Sequence, residues 1–111
     1  MTSESEIEAE IQAKGKTAPR LTPADIDAAI KSEYFVTPRD WKDVPATSGA
    51  ACLTICILEL RNGFTVTGES ACASPENFDA DIGMKIAREN ARGKIWALEG
   101  YLLKDRLHTQ A

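Results

Sequence analysis

The chain has 111 residues, of which 27% are charged, with 17 acidic side chains against 13 basic ones. The formal net charge of −4 disfavours nucleic acid as a partner, because a sequence-independent grip on phosphates needs a basic surface. No run of about 18 apolar residues and no secretory signal is readable, so we expect no membrane span and a cytoplasmic location. The length allows one domain with a modest core.

The first predicted element is the segment SESEIEAEIQAKGK. Ser3 and Glu6 stand at capping-box spacing, and Gly15 is a stop signal. Ile7 and Ile11 are its only apolar anchors, too few to order a helix in isolation.

These signals divide the chain into three parts. Residues 1–20 are predicted to be an N-terminal tail or a short docked helix, residues 21–107 a single α+β domain, and residues 108–111 a C-terminal tail.

A short N-terminal helix of the domain is predicted at about residues 23–32. Thr22 is placed to cap it, Pro23 takes the first helical position, and Asp25 occupies the capping-box position. The aromatic and β-branched run EYFVT that follows is predicted as a strand at about residues 33–37.

The strongest strand signal predicts a hairpin with strands at about 51–60 and 64–72. A two-residue turn would mix charged and large apolar side chains on one face. A three-residue loop with Gly63 in the left-handed conformation avoids this and is preferred. The preferred register puts these residues on one apolar face: Cys52, Cys56, Leu58, Leu60, Phe64 and Val66. The other face is itself half apolar, so we expect something to cover it.

The three cysteines are predicted to be buried and reduced. Cys52 and Cys56 would lie roughly 13 Å apart along one strand, too far for a disulfide. His108 is the only histidine, so the sequence indicates neither a metal site nor a cofactor.

A long C-terminal helix is predicted at about residues 75–106, with Ser74 as its cap. Run to residue 107 it would be about 50 Å long, so it must bend, near Gly93 or Gly100, or protrude. One stripe of this helix is small and apolar, which favours close packing on the hairpin over a ligand cleft: Gly83, Ala87, Ala91, Ile95, Leu98 and Leu102.

Two other sides of the helix suggest contacts. Asn90 ends an apolar row and is expected to bond a neighbouring strand or a partner subunit, or else a ligand. A surplus apolar side predicts an oligomer interface, most simply a two-fold dimer, unless the N-terminal helix covers it. The interface residues would be Trp96, Tyr101, Leu103 and Leu107.

No enzyme motif is present, and the acidic residues near the helix start suit a helix N-terminus better than acid–base catalysis. We therefore expect a protein that is not an enzyme.

Three phrases resemble a known family: KGKTAPRLTPADIDAAI, LTICILELRNGFTVTGESAC and PENFDADIGMKIARENARGKIWALEGYLL. The chain is similar, over about residues 14–106, to the small tailed-phage and prophage proteins of the phage gene-product-forty-nine/sixty-six family. It departs from the usual pattern in the loop RDWKDVPATSG and at Gly93. The resemblance implies a phage-encoded, non-structural, non-enzymatic accessory protein.

Phage proteins of similar size and layout include oligomeric sponges that sequester anionic nucleotide immune signals. By this fold-level analogy, one hypothesis is an anti-defence sponge with these ligand-binding residues: Arg20, Asn77, Phe78, Arg88, Asn90 and Arg92. The alternative hypothesis is an interaction module that binds and inhibits a host protein.

Overall fold

The protein is described by a computed structural model that covers residues 3–110; residues 1, 2 and 111 of the predicted tails lie outside the described residues. Residues 3–110 form three α-helices and one antiparallel sheet with the strand order β1-β2-β3. The elements are α1 (Glu4–Ala13), α2 (Pro23–Ala28), β1 (Ile30–Val36), β2 (Leu53–Leu60), β3 (Thr65–Ala71) and α3 (Ala80–Gln110). The α+β fold with a small meander and a long C-terminal helix is therefore confirmed.

The boundary between α2 and β1 lies earlier than predicted. The capping box of Thr22 and Asp25 is present, but the helix ends at Ala28 instead of residue 32. Ile30, expected in the helix, instead pairs with Leu60 in the sheet. Strand pairing with β2 has overridden the helical pattern, since local propensity is a weak preference beside tertiary contacts.

The hairpin has the predicted three-residue loop. The N–H of Leu60 donates to the carbonyl of Phe64 at 2.8 Å, and Gly63 is left-handed with a φ of 89°. Leu58 stands opposite Val66, as the preferred register requires. The predicted apolar face is buried with one exception, Phe64, which is 55% exposed at the hairpin end.

Helix α3 packs on this face through its stripe of small residues, as the packing interpretation expected. Gly83, Ala87, Ala91 and Ile95 are buried against the sheet. At Gly68 of β3 the two elements approach so closely that a Cβ atom would lie 2.2 Å from the backbone nitrogen of Ala91. Because Gly68 has no side chain, α3 can approach β3 this closely.

The start and length of α3 differ from expectation. A short 3-10 turn, Pro75–Asn77, comes first, and Ser74 makes no side-chain cap there. Asp79 caps the α-helix instead, accepting from the N–H of Ile82 at 3.0 Å. The helix runs unbroken to Gln110, past the predicted end at residue 106. Principal extents of 57 × 31 × 16 Å show that the structure accommodates its length by protrusion.

Candidate functional site

Arg92, predicted to bind an anionic ligand, lies at the junction of the three helices. It donates to both carboxylate oxygens of Glu4 in α1 at 2.6 and 2.8 Å, and to Asp27 in α2 at 2.8 Å. It also donates to the carbonyl of Pro23 at 3.2 Å, and its side chain is only 8% exposed. The hydrogen bond from Arg92 lowers the pKa of Glu4. The guanidinium is therefore occupied by the protein's own acids.

The other two predicted arginines are also paired. Arg20 forms a bidentate ion pair with Glu8, with hydrogen bonds of 2.7 and 2.8 Å. Arg88 donates to Glu33 of β1 at 2.7 Å. A phosphate would have to displace a carboxylate at each of these three arginines.

The Glu8 pair leads to a pH prediction. Hydrogen bonds from Arg20 and then Gln12 lower the pKa of Glu8 from 4.5 to about 2. Because the folded pKa is the lower one, the pair stabilises the docked α1 above pH 4.5, and this contribution is lost as the pH falls towards 2.

We expect an NMR titration to find the Glu8 carboxyl ionised well below pH 4, and Arg20→Gln to move its pKa back towards 4.5. A native Glu8 that titrates at its ordinary value would contradict the contact.

The remaining predicted ligand-binding residues lie elsewhere. The side-chain amide of Asn90 donates to the carbonyl of Glu69 on β3 at 2.8 Å, the strand-bonding role that sequence reasoning weighed against ligand contact. Phe78 lies under the guanidinium of Arg39, whose carbon is 4.3 Å from the ring centroid. Asn77 is exposed in the 3-10 turn.

The six residues do not converge on one site. Arg88 reaches β1 and Asn90 reaches β3, which are opposite edges of the sheet. Arg20 and Arg92 hold α1, while Phe78 lies before α3 begins. The arrangement provides no cluster of unpaired cations around an aromatic ring.

An apolar concavity lies at the hairpin end, between the β2–β3 loop and the C-terminal half of α3. This hairpin-end groove has a volume of about 440 Å³. Its exposed walls are Tyr101 (75% exposed), Phe64 (55%) and Leu102 (46%). The groove is lined by Ala29, Leu60, Phe64, Ala97, Leu98, Tyr101 and Leu102, with Arg61, Asn62 and Glu99 as its polar lining residues.

Sequence reasoning missed the groove because it assigned Phe64 and Leu102 to the packed faces of their elements. Both do continue those faces, but beyond the end of the sheet, where helix and hairpin no longer meet. Tyr101 was predicted to lie in an interface, and it is the one surface prediction that falls in the hairpin-end groove.

The other predicted interface residues have different surroundings. Trp96 lines the same concavity as Ile7 and Ile11 of α1. The alternative that the N-terminal helix covers this side therefore applies to Trp96. Leu103 is half-buried next to Arg20, and Leu107 is half-buried further along α3.

Residues 3–110 contain no group of three or more acidic, cysteine or histidine side chains arranged to hold a metal ion. Within the same residues, no helix combines the length and hydropathy needed to span a bilayer.

The fold and these surfaces define a small α+β protein in which one long helix covers one face of a three-stranded meander and extends past it. Residues 21–107 match the family described as Phage protein (N4 Gp49/phage Sf6 gene 66), and the chain belongs to this family. It is a phage accessory protein. No curated protein and no solved structure matches the chain.

Proposed function

We propose that this protein is not an enzyme and acts by binding a host protein through the hairpin-end groove, inhibiting that protein. The observation that supports this is the exposure of Phe64, Tyr101 and Leu102 around one apolar concavity. Aromatic side chains in a partly formed pocket are the usual anchors of protein interfaces. A large aromatic side chain carries about 150–250 Å² of surface, and Phe64 is 55% and Tyr101 75% exposed. The two aromatics therefore offer about 200–330 Å² of the roughly 800 Å² that a stable interface buries per partner.

The charges support the same proposal. The three arginines that would recognise phosphates are paired with carboxylates, whereas Arg61 and Glu99 line the groove with opposite charges. A polar rim of mixed sign around an apolar centre is typical of protein interfaces.

Site-specific photo-cross-linking in host cells would test the proposal. A photoreactive phenylalanine analogue at Tyr101 should form an adduct with a discrete host protein, and Leu102→Glu in the same chain should abolish the adduct. The matched control is the analogue at Lys85, which is exposed on the opposite side of α3. No host adduct from Tyr101, or the same adduct from Lys85, would contradict the proposal.

Self-association through the groove is a second candidate, supported by one further observation. Lys94, Leu98, Tyr101 and Asp105 fall on one stripe of α3, and neither charged residue has an ion-pair partner within residues 3–110. Two such helices packed antiparallel around a two-fold axis would set Lys94 of each copy opposite Asp105 of the other.

The charge pattern of that dimer can be tested by light scattering. Lys94→Glu should weaken the dimer, and the double variant Lys94→Glu with Asp105→Lys should restore it. A monomer at all concentrations would exclude this second candidate without affecting host binding.

Sequestration of an anionic nucleotide has less support, because a ligand would need Arg20, Arg88 or Arg92 to leave its carboxylate. We expect cyclic dinucleotides, cyclic trinucleotides and ADP-ribose isomers to leave the melting temperature unchanged. A shift that Arg88→Ala removes would reverse this ranking.

A further inference from the structure

The strand register places two cysteines opposite each other at the open end of the hairpin. Leu53 pairs with Ala71, so Cys52 and Cys72 form the next pair outwards. The N–H of Cys72 donates to the carbonyl of Cys52 at 3.2 Å, which is one of the two bonds of a hydrogen-bonded pair. Such pairs have Cα atoms about 5.5 Å apart, inside the range of about 4.4–6.8 Å that a disulfide needs.

The two side chains lie on the same face of the sheet. Cys52, the last residue of the 3-10 turn Gly49–Cys52, is buried like Thr54 and Cys56 on that face. Cys72 is half-buried, whereas its neighbours Ala71 and Ala73 are exposed. The sulfur of Cys72 lies 3.8 Å from the carbonyl oxygen of Cys52. Burial raises the pKa of the Cys52 thiol, and the neighbouring Cys72 thiol raises it further.

The two thiols differ in access. Cys52 is buried, whereas Cys72 is half-buried at the end of β3. Cys56 is fully buried under α3 and takes no part.

We propose that Cys72 and Cys52 form a thiol–disulfide exchange site for low-molecular-weight disulfides such as oxidised glutathione. The Cys72 thiolate, the more accessible one, attacks a glutathione sulfur; a bond from Cys72 to that sulfur forms and one glutathione thiolate leaves. The Cys52 thiolate then attacks the sulfur of Cys72, forming the Cys52–Cys72 bond and releasing the second glutathione thiolate. The two protons of the cysteines go to solvent, and one oxidised glutathione is reduced as one protein disulfide forms.

The product would join the first residue before β2 to the first residue after β3. It would close the hairpin into a covalent ring at the end opposite the Gly63 loop, next to the 3-10 turns Gly49–Cys52 and Pro75–Asn77. Closing a ring of this length restricts the unfolded chain, and we expect the melting temperature to rise by about 10 °C.

The test is intact-mass analysis of the native Cys56→Ser protein after incubation with oxidised glutathione. We expect the loss of two hydrogen atoms and one cross-linked tryptic peptide pair. Trypsin cleaves after Arg61, which lies between Cys52 and Cys72 and so places them on different peptides. In Cys56→Ser no other thiol remains, so the cross-linked pair can contain only these two cysteines. The wild-type protein should show the same loss and the rise in melting temperature.

Two single variants separate the roles of the thiols. Cys52→Ser should keep one glutathione attached at Cys72, because the remaining thiol, Cys56, is fully buried and cannot resolve the mixed disulfide. Cys72→Ser should react far more slowly and form no intramolecular bond. The proposal is overturned if native Cys56→Ser retains attached glutathione at Cys72 without forming the bond, or if it does not react at all.

Discussion

Gly68→Ala should destabilise the protein by about 3 kcal/mol or more. The added Cβ atom would lie 2.2 Å from the nitrogen of Ala91 and 2.4 Å from the carbonyl oxygen of Ala87. Both are backbone atoms of α3, so no side chain can rotate away and the helix must move off the sheet. That movement would loosen the contact between α3 and β3 over its whole length. Chemical denaturation of the purified variant measures the free energy of unfolding directly.

Gly93→Ala is the matched control, because it adds the same methyl group to α3 itself. A Cβ atom at Gly93 meets no atom within 4 Å, and alanine is the better helix former by about 1 kcal/mol. We therefore expect a stabilisation of about 1 kcal/mol. Equal effects of the two substitutions would show that the crossing at Gly68 is not closely packed.

Arg92→Ala should cost about 2 kcal/mol and loosen α1, which the Arg20–Glu8 pair still holds. The substitution leaves Glu4 and Asp27 without the guanidinium that holds them, and removing one member of a buried ion pair is strongly destabilising. The expected loss of unfolding free energy is smaller than that for a fully buried ion pair, because both carboxylates reach solvent. None of residues 4–13 in α1 is fully buried, so few apolar contacts replace the lost pairs.

Hydrogen exchange would show where the structure loosens. In Arg92→Ala the amides of α1 should exchange much faster, while those of β2 should follow only the global loss of stability. Arg88→Ala is the control, since its pair with Glu33 is partly exposed and should contribute less than about 1 kcal/mol. Unchanged protection of α1 in Arg92→Ala would contradict the role assigned to this arginine.

The same arginine shows why the ligand-binding prediction depended on tertiary structure. Sequence analysis named Arg92 and Arg88 as ligand-binding residues by analogy, without the acidic partners that the structure gives them. The partners, Glu4 and Asp27, lie 88 and 65 residues away in the chain. No local pattern encodes such a pairing.

The cysteines give a second example. Reasoning along one strand compared Cys52 with Cys56 and excluded a disulfide between them. The closer pair, Cys52 and Cys72, was already implied by the preferred hairpin register but becomes a specific contact only when Leu53 is seen opposite Ala71.

By itself, the sequence determined the features that depend on short-range geometry. Gly63 sets the loop, the loop sets the register of Leu58 with Val66, and the spacing of small residues sets the face of α3 that meets the sheet. Turn sterics and the side-chain periodicity of helices and strands act within a few residues, so the sequence alone is enough to predict them. Only the tertiary structure decided the end of α2, the pairing of the arginines and the groove beside Tyr101. Each depends on where distant elements stop overlapping, and that is a property of how the whole chain packs.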